Sequence, residues 1–163
     1  MAMASSGSAV VTLPTDTQIL VTREFAAPKH LVYRAYTTPE LIKRWWSGDR
    51  GETTSAEVDL RVGGKWRYVM VTPDGFEVAF HGEYREIVPN ERIVFTEVYE
   101  GAPETEGDVV CTCTFTERDG STNLTLLVDH PSKEIRDAII DTGMETGMQE
   151  GMDLLEQVAI SLR

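Results

Sequence analysis

The apolar and polar residues of this chain follow two different periods. Apart from a stretch after Pro28, apolar residues between about Thr17 and His130 alternate with polar ones in short runs that turn residues separate. This pattern is typical of β-strands. Beyond Pro131 the apolar residues recur every three or four positions, which is the period of an α-helix. The sequence therefore predicts a sheet followed by a closing helical segment.

Short turns join the predicted strands, which predicts an antiparallel sheet. Pro73-Asp74-Gly75 is a tight-turn signal, because Pro presets φ and Gly accepts a positive φ. Asp119-Gly120 is a strong signal for a two-residue hairpin loop. Strands are predicted at Thr17–Phe25, Ser55–Leu60, Lys65–Thr72, Phe76–Val88, Arg92–Glu100, Val109–Glu117 and Ser121–Asp129.

Helices are predicted near both ends of the chain. Two short ones follow the first strand, at Lys29–Tyr36 and from Thr38 into Trp45-Trp46, the second with Pro39 at its first position. The closing segment contains Gly143, Gly147 and Gly151, and each glycine inside a helix costs ~1 kcal/mol relative to alanine. We therefore expect a short helix to about Asp141, a break, and a longer helix to about Leu162. Together these elements make the fold class α+β.

The acidic composition restricts the classes of partner. The chain of 163 residues is expected to form one domain, with 15 Lys and Arg against 27 Asp and Glu, a net charge of −12. This balance disfavours nucleic acid and anionic membranes. Residues 1–15 are expected to form a loosely ordered tail before a domain over residues 16–163. No basic residue precedes the short apolar run of the tail, and no run approaches the ~18 residues of a membrane span, so we expect a cytoplasmic protein.

The residue types that hold metals or activate nucleophiles are sparse and scattered. Cys111 and Cys113 on one strand would lie about 6.6 Å apart, which is too far for a mutual disulfide, so buried free thiols are expected. The three histidines have no metal-binding spacing, and no GxSxG or phosphate-loop pattern occurs. We therefore expect no metal and no cofactor.

The chain resembles the START-like (SRPBCC) superfamily of helix-grip proteins, and within it the family of the activator of heat-shock protein 90 ATPase homologues. The resemblance implies a curved antiparallel sheet of about six or seven strands wrapped around a long C-terminal helix, with two small helices after the first strand. It also implies a hydrophobic cavity between helix and sheet. The matching stretches are Phe25–Trp46, Gly63–Met70 with Pro73–Gly75, Gly82–Thr96 and Arg136–Leu155.

Strand alternation predicts which side chains would face such a cavity. Trp66, Tyr68 and Met70 are placed inside, and Arg67 outside. Glu97 shares a face with apolar neighbours, but a bulge or a solvent-facing strand end is the favoured interpretation for it. One tryptophan of the Trp45-Trp46 pair is expected in the core, with the other partly covering the cavity entrance. The candidate ligand-binding residues are Trp45, Trp46, Trp66, Tyr68, Met70, Tyr84, Phe95, Glu97, Tyr99, Met144, Met148 and Met152.

Three functions remain open at this stage. The first is binding of a small hydrophobic or aromatic ligand in the cavity. The second is a polyketide-cyclase-like or hydrolase-like enzyme that uses Glu97 as an acid or base. The third is a chaperone ATPase co-factor or stress-response interaction protein, which ranks last because the co-chaperone's additional domain is not in these 163 residues. A homodimer is also left open.

Overall fold

The structure, a computed structural model, describes residues 9–101 and 107–163. Over these residues eight strands form one antiparallel sheet, with four helices. The strands are β1 Val10–Thr12, β2 Gln18–Phe25, β3 Glu52–Val58, β4 Lys65–Val71, β5 Glu77–Val88, β6 Arg92–Tyr99, β7 Val109–Arg118 and β8 Ser121–Asp129. The helices are α1 Lys29–Thr37, α2 Pro39–Ile42, α3 Lys133–Asp141 and α4 Met144–Ser161. The strand order is β1-β2-β8-β7-β6-β5-β4-β3. The expected α+β helix-grip fold is confirmed.

The sheet has one strand more than the six or seven expected. β1 pairs antiparallel with β2, and Val10 lies opposite Thr22. The predicted tail over residues 1–15 is therefore wrong for β1, while residues 1–8 lie outside the described residues. The β1 sequence is entirely β-branched, which favours a strand, but three residues are too few to show a period. Ala9 fixes this segment further, because its N–H and C=O bond the Gln149 side chain on α4 at 2.9 and 2.8 Å.

The predicted turns form as their sequences require. Thr72 N–H donates to the Phe76 carbonyl at 2.8 Å across the β4–β5 turn, and Gly75 has φ +86°. At the β7–β8 turn Asp119 and Gly120 both have positive φ, 54° and 81°. Positive φ at both central residues is characteristic of the two-residue hairpin turn whose backbone twist matches that of the flanking strands.

The C-terminal segment is divided as predicted. Ser132 caps α3, because its hydroxyl accepts the Ile135 N–H at 3.2 Å. Gly143 then adopts φ +80°, a left-handed conformation that few other residues tolerate, and α4 begins at the next residue. The earlier short helix differs from the prediction: α2 ends at Ile42, and Trp45 and Trp46 lie in the turns that follow it.

The core lies between α4, α1 and the inward-facing side chains of the sheet. From α4 it includes Leu155, Val158 and Ala159, which form one apolar cluster with residues such as Phe25 of β2 and Leu124 of β8. No helix in the described part of the chain is long and apolar enough to cross a membrane.

A buried ion pair joins β2 to α4 inside this core. The Arg23 guanidinium lies 2.9 Å from Glu156, and both side chains are almost fully buried. Exposed Asp153 approaches the same guanidinium at 3.0 Å. The other Glu156 oxygen accepts the Ala26 N–H at 2.9 Å. Charge and hydrogen bonding therefore set the position of α4 relative to the sheet.

Candidate functional site

A cavity of about 530 Å³ lies between α4 and the sheet. This volume falls in the range of ligand pockets, ~300–1,000 Å³. β4, β5, β6, β7 and β8 contribute to its wall, together with one face of α4 and the segment after α2. All twelve candidate residues line it: Trp45, Trp46, Trp66, Tyr68, Met70, Tyr84, Phe95, Glu97, Tyr99, Met144, Met148 and Met152. That they bind a ligand stays a prediction.

Aromatic rings pack against one another along the sheet side of the cavity. The Trp66 and Tyr68 ring centres lie 4.7 Å apart. Trp46 meets Tyr68 edge-on at 5.4 Å and Phe80 at 5.7 Å. Trp66 Nε1 donates to the Thr96 carbonyl at 3.2 Å, so its polar group is satisfied within the sheet. This side of the cavity presents flat apolar surface, and the Trp66 indole N–H is already bonded within the sheet.

The two adjacent tryptophans have different surroundings. Trp45 is buried, its Nε1 donates to the Ala35 carbonyl at 2.9 Å, and its ring stacks on Tyr36 at 5.4 Å. Trp46 is only partly buried and lies against the aromatic rings of β4 and β5. The expectation that one tryptophan belongs to the core holds for Trp45, while Trp46 forms cavity wall.

The methionines of α4 form the opposite wall. Met144 and Met148 are partly buried and Met152 is buried, so burial increases along the helix. Gly151 lies on the same face, where an added Cβ would be 3.6 Å from the Trp45 carbonyl oxygen. The segment after α2 therefore passes the helix at ordinary contact distance, with room for a methyl group at this position. Methionine is a flexible apolar side chain, and such a wall can adapt to different shapes.

Among the described residues that line the cavity, Glu97 carries the carboxyl group. β6 and β7 pair regularly at this point, with Glu97 opposite Val109, so the favoured expectation of a bulge or a solvent-facing strand end is wrong. Glu97 is partly buried, and the Cys111 thiol donates to its Oε2 at 3.7 Å. Burial raises the pKa of Glu97, and the thiol hydrogen bond opposes part of this shift. The site therefore favours the protonated carboxyl more than water does.

Two tyrosines provide further polar atoms in the cavity. Burial raises the pKa of both Tyr68 and Tyr84 above the usual value. Both hydroxyls therefore stay protonated at neutral pH. Tyr99 differs, because it is exposed and stacks on Phe80 at 5.0 Å.

Of the described residues that line the cavity, three are exposed to solvent: Arg50, Tyr99 and Thr142. We call these residues the cavity mouth. Sequence reasoning did not include Arg50, because it lies in a loop after Gly48 where no strand or helix period predicts side-chain direction. It also omitted Phe80, although alternation along β5 places Phe80 on the same face as Tyr84 and could have found it.

Other expectations concern side chains away from the cavity or buried in its wall. Arg67 and His81 face outward as predicted, and both contact the Glu100 carboxylate, at distances of 2.9 to 3.0 Å. Cys111 and Cys113 are free and buried, which confirms the expected thiols. Across residues 9–101 and 107–163, no three His, Cys, Asp or Glu side chains group in a way that could hold a metal ion.

Comparison with known proteins identifies the family. A model of the family described as activator of Hsp90 ATPase homolog 1-like protein matches residues 26–159. A search of curated proteins finds no match to this chain. A crystal structure of a Rhodobacter sphaeroides protein is 25% identical, with a TM-score of 0.87 and coverage of 95% of this chain and 99% of the other.

Two further solved structures are similar. A Mycobacterium smegmatis protein is 27% identical with a TM-score of 0.82, covering 93% of this chain and 96% of the other. A Chromobacterium violaceum protein is 28% identical with a TM-score of 0.77, covering 89% and 98%. The family match spans most of the chain, and the fold is shared with these solved structures. The chain belongs to the family of activator of Hsp90 ATPase homolog 1-like proteins.

Proposed function

We propose that this protein binds a small hydrophobic or aromatic molecule in the cavity between α4 and the sheet. The observation that carries the proposal is the space of about 530 Å³ walled by aromatic rings and methionines. Burial of ligand surface there supplies roughly 25 cal/mol per Å², before the cost of ordering the ligand and side chains is subtracted. Flat ring systems suit the stacked aromatic wall.

Polar groups inside the cavity would orient the ligand. The Tyr68, Tyr84 and Glu97 side chains all line it, and the tyrosine hydroxyls and a protonated carboxyl can each donate a hydrogen bond. A ligand carbonyl or hydroxyl would meet one of these donors. An apolar molecule with at least one oxygen acceptor fits this arrangement better than a pure hydrocarbon.

A neutral fluorescent probe tests the proposal directly. N-phenylnaphthylamine is apolar, and its fluorescence rises when it leaves water. We expect saturable binding with one site per chain. Met148→Trp places a larger side chain in the cavity wall and should weaken binding by about tenfold or more, because ring and probe would compete for the same volume.

The matched control is Gln157→Trp on the same helix. Gln157 is exposed and is not among the residues of the cavity wall, so this variant adds the same indole without filling the cavity. Its probe affinity should equal that of the unsubstituted protein. Equal loss of binding in both variants, or no binding in the unsubstituted protein, would contradict the proposal.

Acid–base catalysis is a second candidate function, favoured by the position of Glu97. A carboxyl with a raised pKa inside an apolar cavity suits a general acid or base. Mass spectrometry of a ligand recovered from the protein, before and after incubation, would reveal turnover. Glu97→Gln should abolish that turnover and keep ligand binding, whereas unchanged turnover would exclude Glu97 as the catalytic group.

A role as chaperone ATPase co-factor stays a prediction that rests on the family description. A co-factor role requires no cavity, so the volume and lining of the cavity between α4 and the sheet do not support it. Stimulation of a chaperone ATPase by the isolated chain, unaffected by Met148→Trp, would favour it over ligand binding.

A further inference from the structure

The permanent charge in the wall of the cavity belongs to Arg50. Among the described residues that line it, three side chains belong to the residue types that are ordinarily charged near neutral pH: Arg50, Glu97 and His130. Burial raises the pKa of Glu97 and lowers that of His130, and both shifts favour the neutral form. The guanidinium stays charged at any physiological pH. A ligand in this cavity therefore meets one fixed positive charge.

Arg50 forms no ion pair within the described part of the chain, although the protein is strongly acidic. Acidic residues outnumber basic ones by 27 to 15, so carboxylates are abundant partners. Most arginines of the described chain have one within 4.0 Å. These are Arg23, Arg61, Arg67, Arg85, Arg92, Arg118 and Arg136. The cation of the cavity mouth is left available for another anion.

The Arg50 guanidinium rests on the backbone of α4. A Cβ added at Gly147 would lie 2.7 Å from Arg50 Cζ and 2.9 Å from Nε. Any larger residue at position 147 would push the guanidinium away. Gly147 is buried and itself lines the cavity. The absence of a side chain at this position leaves the space that the guanidinium occupies.

Hydrogen bonds fix the loop that carries Arg50 on both sides of this residue. Arg50 N–H donates to the Ser47 carbonyl at 3.2 Å. The Ser47 hydroxyl accepts a hydrogen bond from Thr53 Oγ1 at 2.9 Å, and both of these side chains are buried. These bonds join the loop to the start of β3. The cation is therefore presented from a short constrained loop, which lowers the entropy cost of using it in binding.

We infer that the ligand of this cavity is an apolar carboxylate, whose anionic group Arg50 binds at the cavity mouth while its apolar part lies among the aromatic rings and methionines. This inference rests on the proposed function and adds the ligand's chemical class. The guanidinium fork matches a carboxylate and can donate two parallel hydrogen bonds. Fatty acids and aromatic acids both share this chemistry.

A matched pair of probes separates the contribution of a ligand's negative charge to affinity from the contribution of its apolar rings. Anilinonaphthalene sulfonate and N-phenylnaphthylamine have the same ring skeleton, and only the first carries an anion. Arg50→Gln should lower the affinity for the sulfonate by about tenfold and leave the affinity for the neutral amine unchanged. The loss should shrink as salt is added, because salt screens a solvent-exposed charge.

Two further variants control the interpretation. Arg44→Gln removes an exposed arginine outside the cavity wall, and the affinities for both probes should stay as in the unsubstituted protein. Gly147→Ala keeps the Arg50 charge but displaces it, so it should weaken binding of the sulfonate more than binding of the neutral amine. Thermal unfolding checks that each variant remains folded.

The outcomes distinguish this inference from the proposed function. If Arg50→Gln changes both probe affinities equally, or neither, the anionic class is wrong while ligand binding stands. If neither probe binds the unsubstituted protein, both proposals fail. Displacement of the bound sulfonate by dodecanoate indicates a fatty chain, and displacement by naphthoate indicates an aromatic acid. Displacement by neither carboxylate would overturn the inference.

Discussion

The Cys111 thiol donates to the Glu97 carboxyl across two neighbouring strands, with Sγ and Oε2 3.7 Å apart. A thiol is a weak donor, so it compensates little of the cost of removing a carboxylate from water. The pKa of Glu97 is raised by burial for this reason. A polar group kept in an apolar cavity at a cost in stability is typical of a functional position.

Replacing Glu97 should increase stability at neutral pH. The folded state holds the Glu97 proton more tightly than the unfolded state, so the free energy of unfolding falls as pH rises from the ordinary glutamate pKa, about 4.3, to the raised value. Glu97→Gln removes this penalty. We expect the Tm of the variant, relative to the unsubstituted protein, to be higher at neutral pH than at about pH 4. A lower relative Tm at neutral pH would mean that the charged form has a favourable partner.

Glu100 directly follows β6, and its pKa is shifted in the opposite direction from that of Glu97. Arg67 and His81 donate hydrogen bonds to its carboxylate and lower its pKa to about 2. A lowered pKa contributes stability above the ordinary glutamate value, and that stability is lost as pH falls toward about 2. Glu100→Gln should therefore lower the Tm more at neutral pH than in acid. If both variants shift in the same direction, the electrostatic account is wrong.

The buried pair between β2 and α4 should be sensitive to loss of one partner. Glu156→Gln leaves the buried Arg23 guanidinium without its buried carboxylate, and such a change typically costs about 3 kcal/mol or more. Asp153→Asn removes an exposed carboxylate from the same guanidinium and should cost less than about 1 kcal/mol. Urea unfolding of the two variants measures both values. An equal loss of unfolding free energy in the two variants would show that burial does not decide how much each carboxylate contributes to stability.

Glycine is required at position 82 but not at position 151. A Cβ at Gly82 would lie 1.8 Å from the Thr96 carbonyl oxygen and 2.6 Å from Trp66 Nε1, so the backbone of β6 would have to move. We expect Gly82→Ala to cost about 3 kcal/mol, the upper end of the usual cost of overpacking. At Gly151 the nearest atom is 3.6 Å away, so Gly151→Ala should be neutral or stabilising by up to about 1 kcal/mol. Chemical denaturation of both variants checks the difference, and similar stabilities would contradict it.

The sequence predicted the features that depend on local period and turn chemistry. The break at Gly143 and the hairpin at Asp119-Gly120 follow from residues that tolerate positive φ. Alternation along β4 correctly placed Trp66 and Tyr68 in the cavity wall, because the side chains of a strand point alternately to opposite faces.

Features that depend on tertiary contacts were not predicted. β1 is too short for a pattern and exists through its pairing with β2. Glu97 was expected at a bulge or strand end because a charge among apolar residues is unfavourable, and regular pairing with β7 places it in the cavity instead. Arg50 lies in a loop whose direction is set by Ser47, Thr53 and Gly147, and no local signal in the sequence reveals these contacts.

The most direct test of ligand binding observes the cavity wall itself. Four of the six methionines, Met70, Met144, Met148 and Met152, line the cavity, so methionine-methyl NMR reports on it selectively. We expect titration with N-phenylnaphthylamine to shift the Met148 and Met152 methyl resonances until one probe is bound per chain. Methyl resonances of all four that stay in place up to the solubility limit of the probe would contradict the account.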